Sequence, residues 1–459
     1  MHRSLIHRPT RRRALALGGM SAAALAALPA LSACSGSGPT LEYMFWGSTG
    51  EQEAVETMLA SFQETQEDLS VKPLYTPSDY DTKLNALVAS KRMPDVAYIQ
   101  NMMAYRLAEE GNLLDLSQYF ETYPGIADRL PAAFSFWDEE HTFGTPAALE
   151  IMCLFSNKAA FADAGIDLPP VTADSAWTWD DFVSAAIAMT KDQSGRGPDE
   201  NGFDPASIAR FGTRAPTWSG AWYGLLLSAG VDVVDESGTT TMLNSAEAVA
   251  VFQGIVDLMH VHRAAPSPTQ LGNNAPGVVN ELAADRLGMA IDGQWTLLDI
   301  SSADFEFGIG VLPSWGAPTT ASMGGAIGIS ATTEHLDAAL DLYVYQSQPE
   351  QVGLFASGLW MPVEEKYYTD PELLALWTDN DAHPEEYRTA VVDYTLGNST
   401  RYFAERMKNF EAIDKLLTPA IERIQTGEEK VQDVMNELAE TLNDGVLQGF
   451  YPNPLLDAS

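Results

Sequence analysis

Apolar positions along the chain switch between the period of a strand and that of a helix. Residues 41–46 (LEYMFW) and 70–75 (SVKPLY) read as strands, and 93–99 (MPDVAYI) as a third. Between them, 51–64 carries Val55, Met58, Leu59 and Phe62 at helical spacing, and 82–90 is a second amphipathic segment. This strand–helix–strand–helix order predicts a parallel sheet whose ligands meet the carboxyl ends of the strands. Those ends hold Trp46, Ser48 and Thr49, then Tyr80, then Gln100 and Asn101.

The rest of the pattern turns on residues 143–158, FGTPAALEIMCLFSNK. Gly144 and Pro146 form a turn that feeds a buried strand over 151–155, and one carboxylate, Glu150, stands at its entrance. An acid there faces a cleft or breaks a core. Asp180 is placed to cap a helix over 181–190. A polar loop follows at 191–202, and its Asp192, Asp199, Glu200 and Asn201 either hold calcium or are simply solvated; their spacing does not match an EF-hand. The run 217–224 (TWSGAWYG) sets Trp218, Trp222 and Tyr223 before an apolar helix, as core or as a stacking platform. A long amphipathic helix over 245–263 ends in His260-Val261-His262. Histidines two apart on a helix do not share a face, so a metal pair is not expected. Further strands are expected at 287–291, 305–313 and 322–329, then a helix over 334–348 and a helical segment over 387–447.

Composition narrows the function. At 459 residues and 46% hydrophobic content the chain can bury the cores of two or three domains. The formal charge is −37, and without the first 33 residues, which hold five Arg and no acid, it becomes −42. Such a surface repels nucleic acid and bare anionic membrane, and it tolerates neutral ligands better than anionic ones. Residues 10–34 run from a basic region into an apolar stretch too short and too Ala-rich for a strong membrane span. Thr10-Arg11-Arg12 resembles a twin-arginine export signal, although Ala14 and Leu15 fit it only in part and ordinary secretion is the alternative. Leu31-Ser32-Ala33-Cys34 matches the bacterial lipobox, which implies acylation of Cys34 and a tether over 34–40. The second cysteine, Cys153, sits between Met152 and Leu154 as a small buried hydrophobe, and no disulfide framework is available. No G-x-S-x-G, H-E-x-x-H, P-loop or dinucleotide fingerprint occurs.

The order F-W-G, helix, Y-x-x-K-L (80–84), P-D-V (94–96) and L-A-E-x-G-x-L-x-D-L (107–116) resembles the extracellular solute-binding proteins of ABC sugar importers, of the maltose-binding type. The resemblance continues through Asn157-Lys158, Trp177 to Phe182, the run 280–295, the glycines at 324–325 and Gly358 to Val363. Within 280–295 it departs at Leu282 and Asp285, where the family usually has Phe and Gly. It spans about 41–445. It implies an α/β, two-lobed periplasmic-binding-protein fold with hinge crossovers and an interlobe ligand cleft. Residues 1–33 would be signal peptide, 41–150 with 297–347 lobe one, and 151–296 with 348–459 lobe two. It implies a carbohydrate ligand, in keeping with an oligosaccharide, ABC permease subunits as partners, a monomer on a lipid anchor, and neither cofactor nor metal. The implied site comprises Trp46, Ser48, Thr49, Tyr80, Gln100, Asn101, Glu150, Trp218, Trp222, Asp292, Trp295, Gly324, Gly325, Trp360 and Tyr402. A secreted carbohydrate-active hydrolase and a surface adhesin lipoprotein are the alternatives.

Overall fold

The computed structural model of the protein describes residues 38–272 and 275–457. The expected signal peptide, Cys34 and residues 34–37 of the tether lie outside them. Two sheets organise the described chain. In the first, the strand Thr40–Phe45 is central, parallel to Ser70–Tyr75 on one side and to Val96–Ile99 on the other, and Ala326–Ile329 adds an antiparallel edge. The helix Thr49–Glu64 starts where the Ser48 side chain accepts the Glu51 backbone N–H. It buries Val55, Met58, Leu59 and Phe62, the face its apolar spacing predicts.

The second sheet has seven strands built around Glu150–Asn157. That strand pairs antiparallel with Leu287–Gly293, with Thr320–Met323 near its start and with Phe307–Gly310 near its end. Its unbroken apolar run follows from burial on both faces. Ile151, Cys153 and Phe155 join the hydrophobic cluster of the first sheet, whereas Met152 and Leu154 join the second. Buried residues from Val352 to Tyr394 also pack with the first cluster. The segment around 358–361 is tied to two parts of the second sheet: Leu149 and Met361 exchange backbone hydrogen bonds just before Glu150–Asn157, and Gln294 Nε2, just after Leu287–Gly293, donates to the Gly358 carbonyl at 2.6 Å.

Two local expectations are corrected. The helix Trp179–Met189 is capped by Thr178, not Asp180, because Thr178 Oγ1 accepts from the Asp181 N–H while the Asp181 carboxylate returns a bond to the Thr178 N–H. The segment 387–447 is not helical throughout. Ser399–Arg401 forms a strand parallel to Thr320–Met323, and this long-range pairing outweighs the local helical pattern. Among the described residues, no helix is long and apolar enough to cross a membrane.

Candidate functional site

A cavity of about 430 Å³ opens where the two sheets face each other. Trp46 and Ser48 reach it from the carboxyl end of Thr40–Phe45, and Gln100 and Asn101 from that of Val96–Ile99. Glu150 enters at the first residue of the crossover strand, and Trp295 from the turn after Leu287–Gly293. Gly324, Gly325 and Tyr402 complete the expected residues that line it, with Trp218 on the far wall. A larger cavity, about 540 Å³, lies against Trp177, Trp179 and Trp315, and none of the expected site residues lines it.

Three indoles shape the cleft. Trp46 is held edge-on by Tyr80 and Tyr98, with ring centres 4.9 and 5.1 Å away. Trp218 and Trp295 lie 6.3 Å apart, and Trp218 is 44% exposed at the cavity wall. Both lean over glycines: a Cβ at Gly220 would overlap the Trp218 ring, and one at Gly293 that of Trp295. Gly324 is less free than its sequence suggests. Its N–H donates to Glu405 Oε1 at 2.8 Å, and its carbonyl accepts from Asn101 Nδ2 at 3.0 Å.

The sequence profile of bacterial extracellular solute-binding proteins matches residues 57–385. The chain belongs to that family. Among solved structures of solute-binding proteins, an ABC substrate-binding protein from Listeria monocytogenes in complex with cycloalternan aligns with a TM-score of 0.74 at 21% identity, over 88% of this chain and 98% of that one. One from Thermotoga lettingae bound with α-D-tagatose gives 0.71 at 19% identity, over 88% and 99%. The cyclic α-maltosyl-1,6-maltose binding protein of Arthrobacter globiformis gives 0.66 at 23%, over 88% and 98%. These likenesses establish the two-lobed periplasmic-binding-protein fold. No curated protein sequence matches the chain.

Five expected residues of this solute-binding protein stand away from the cavity. Trp222 is buried in the second core, edge-on to Phe252 at 5.2 Å and stacked on Phe403 at 5.9 Å. Trp218 and Trp222 do not share a helix face, because Trp218 is the N-cap of Ser219–Ser228 with extended backbone (φ −90°, ψ 154°). Tyr80 is buried and donates from its hydroxyl toward the carbonyls of Met44 and Tyr98, supporting Trp46 from behind. Trp360 is buried against Phe355 at 5.6 Å. Thr49 is exposed as the first helical residue, and the Asp292 carboxylate turns back to its neighbouring Gly293 N–H at 2.8 Å. In the polar loop, the Asp192 carboxylate accepts the N–H groups of Ser194, Arg196 and Asp204, which hold it below the usual carboxylate range.

The cavity also holds residues that the sequence reading missed, above all Glu51, Asp299 and Glu405. Glu51 had a signal: Ser48-x-x-Glu51 is the pattern of a capping box, which folds an N3 carboxylate back over the helix start. Glu405 stands three residues after Tyr402, which hydrogen-bonds Ser219. Burial pushes Glu51 up to about 7, helped by nearby Asp299 and opposed by a backbone hydrogen bond from Ser48. Burial likewise pushes Glu405 up to about 7 against the pull of Arg401, the Gly324 N–H and Asn101. Glu150 is raised well above the ordinary range, first by burial and then by the charges of Glu51 and Glu405. Among the described residues no Lys, Arg or His lines the cavity; Arg401 pairs with one of its acids, its Nε 3.4 Å from Glu405 Oε2.

Proposed function

We propose that this solute-binding protein captures a carbohydrate, an oligosaccharide, outside the cell and delivers it to the permease of an ABC transporter. The observation that carries the reading is the convergence of Trp46, Trp218 and Trp295 with Gln100, Asn101 and Glu150 in one cleft. Indole faces cover the C–H surfaces of sugar rings, and carboxylate and amide oxygens accept from hydroxyls. Relatives of the same fold carry sugars in their solved complexes, a cyclic oligosaccharide among them.

A ligand that touches both walls stabilises the closed form by its differential contacts, and closure is the state a permease would recognise. The lobes are taken as 41–150 with 297–347 and as 151–296 with 348–459, with 352–394 packing back on the first. The protein acts as a monomer, without cofactor and without catalysis. Acylation of Cys34 after removal of residues 1–33 holds it at the outer face of the cell membrane, by the twin-arginine or the general export route. A thermal-shift screen of the purified protein against a saccharide panel tests the reading. A specific ligand raises the melting temperature by mass action, and a panel without effect rejects a carbohydrate.

A further inference from the structure

The cleft is unbalanced in a way that a neutral sugar does not correct. Among the described residues four carboxylates line it, Glu51, Glu150, Asp299 and Glu405, and no basic side chain does. Three have partners in the protein: Glu405 has Arg401 and the Gly324 N–H, Asp299 Oδ1 accepts from Ser48 Oγ at 3.3 Å, and Glu51 accepts a backbone hydrogen bond from Ser48. The Glu150 side chain has no hydrogen bond or ion pair among the described residues, and the charges it feels are those of Glu51 and Glu405. Independently of these acids, Asn101 lines the same cavity at only 4% exposure, and its Oδ1 has no hydrogen-bond partner. One unpaired carboxylate and one buried neutral amide oxygen are thus left without an N–H or O–H.

Resting on the carbohydrate reading, we propose that the saccharide held here bears a protonated amine, lodged among Glu150, Glu51 and Asn101. An ammonium offers three donors and a positive charge to a group that lacks both. Hydroxyls can satisfy the acceptors, but only a cation pairs with the ionised form of Glu150, which burial and its acidic neighbours otherwise disfavour. The indoles that cover sugar rings also attract a cation through their faces. The strongly acidic chain, at −37, concentrates cationic solutes near its surface before capture.

Calorimetry with matched ligands tests the proposal: the glucosamine trisaccharide, its fully N-acetylated counterpart, and maltotriose, each titrated at pH 7 into the purified protein. The amine-bearing trisaccharide is expected to bind at least tenfold tighter than either neutral one, with an advantage that shrinks as salt rises. Glu150→Gln is expected to reduce the ratio of amine to neutral affinity at least fivefold, and circular dichroism with the melting temperature shows whether the variant is folded. Glu51→Gln gives a second reading of the same ratio if Glu150→Gln does not fold. Neutral sugars that bind as tightly as the amine, or a preference that survives both substitutions, overturn this inference and leave the carbohydrate reading standing. Absence of binding by all three, and by every member of the saccharide panel, overturns both.

Discussion

Replacing Glu51 by Gln should make the protein more stable at alkaline pH and leave it nearly unchanged in acid. In the folded protein this carboxylate is pushed up to about 7 from an ordinary 4.5, chiefly by burial, against a backbone hydrogen bond from Ser48 and with the Asp299 charge adding to the rise. A raised carboxylate pKa means that the folded state holds its proton more tightly than the unfolded chain does. Stability from this group is therefore full below about pH 4.5 and declines as pH rises through about 7. At 1.36 kcal/mol per pH unit the rise corresponds to about 3 kcal/mol, which the partial exposure of Glu51 reduces to about 1–2 kcal/mol. Glutamine keeps the shape without the charge, so Glu51→Gln should gain about 1–2 kcal/mol over wild type at pH 8 and almost nothing at pH 4.5. Urea denaturation of both proteins at pH 4.5, 6 and 8, without ligand, measures the difference directly. A constant offset at all three values, or a variant that loses ground as pH rises, would rule out a desolvated charge at Glu51 in the mouth of the cleft.

Three other outcomes are expected from the same structure and sequence. Glu150→Ala should weaken saccharide binding by about tenfold to a hundredfold, from charged hydrogen bonds of roughly 1.5–3 kcal/mol, with unchanged far-ultraviolet circular dichroism; an unchanged affinity removes Glu150 from the site. Trp222→Ala should cost about 3–5 kcal/mol of stability as a core cavity, and affinity measured on the folded fraction should hold; a selective loss of affinity would return Trp222 to the ligand. Cys34→Ala should abolish partition into detergent as an acylated species, and equal partition of wild type and variant would exclude the lipobox.

The fold was legible where local pattern and tertiary demand agree. The strand Thr40–Phe45, the helix after it and the helix face with Val55, Met58, Leu59 and Phe62 could be read directly, because one spacing serves both helix formation and burial. Ser399–Arg401 could not, since its strand state depends on pairing with a segment some 80 residues away. The cleft was legible at strand ends, where topology alone brings Trp46, Gln100 and Asn101 together. It failed by one helical turn in 217–224. Both tryptophans were plausible, and only the backbone at Trp218, extended rather than helical, turns that ring out while Trp222 goes into the core. Asp299 and Glu405 carry no local mark of a site, because what places them at the cleft is the packing of chain segments far apart in sequence. Glu51 did carry one, in the capping pattern with Ser48.

The most direct test of the account is calorimetric titration of wild type and Trp218→Ala with a saccharide that raises the melting temperature. Covering about 60–100 Å² of indole at roughly 25 cal/mol per Å² contributes about 1.5–2.5 kcal/mol. One-to-one binding to wild type is therefore expected, with a loss of about tenfold to seventyfold on truncation and the fold intact. Equal affinity of the two proteins would contradict a ligand seated against Trp218 in the cleft.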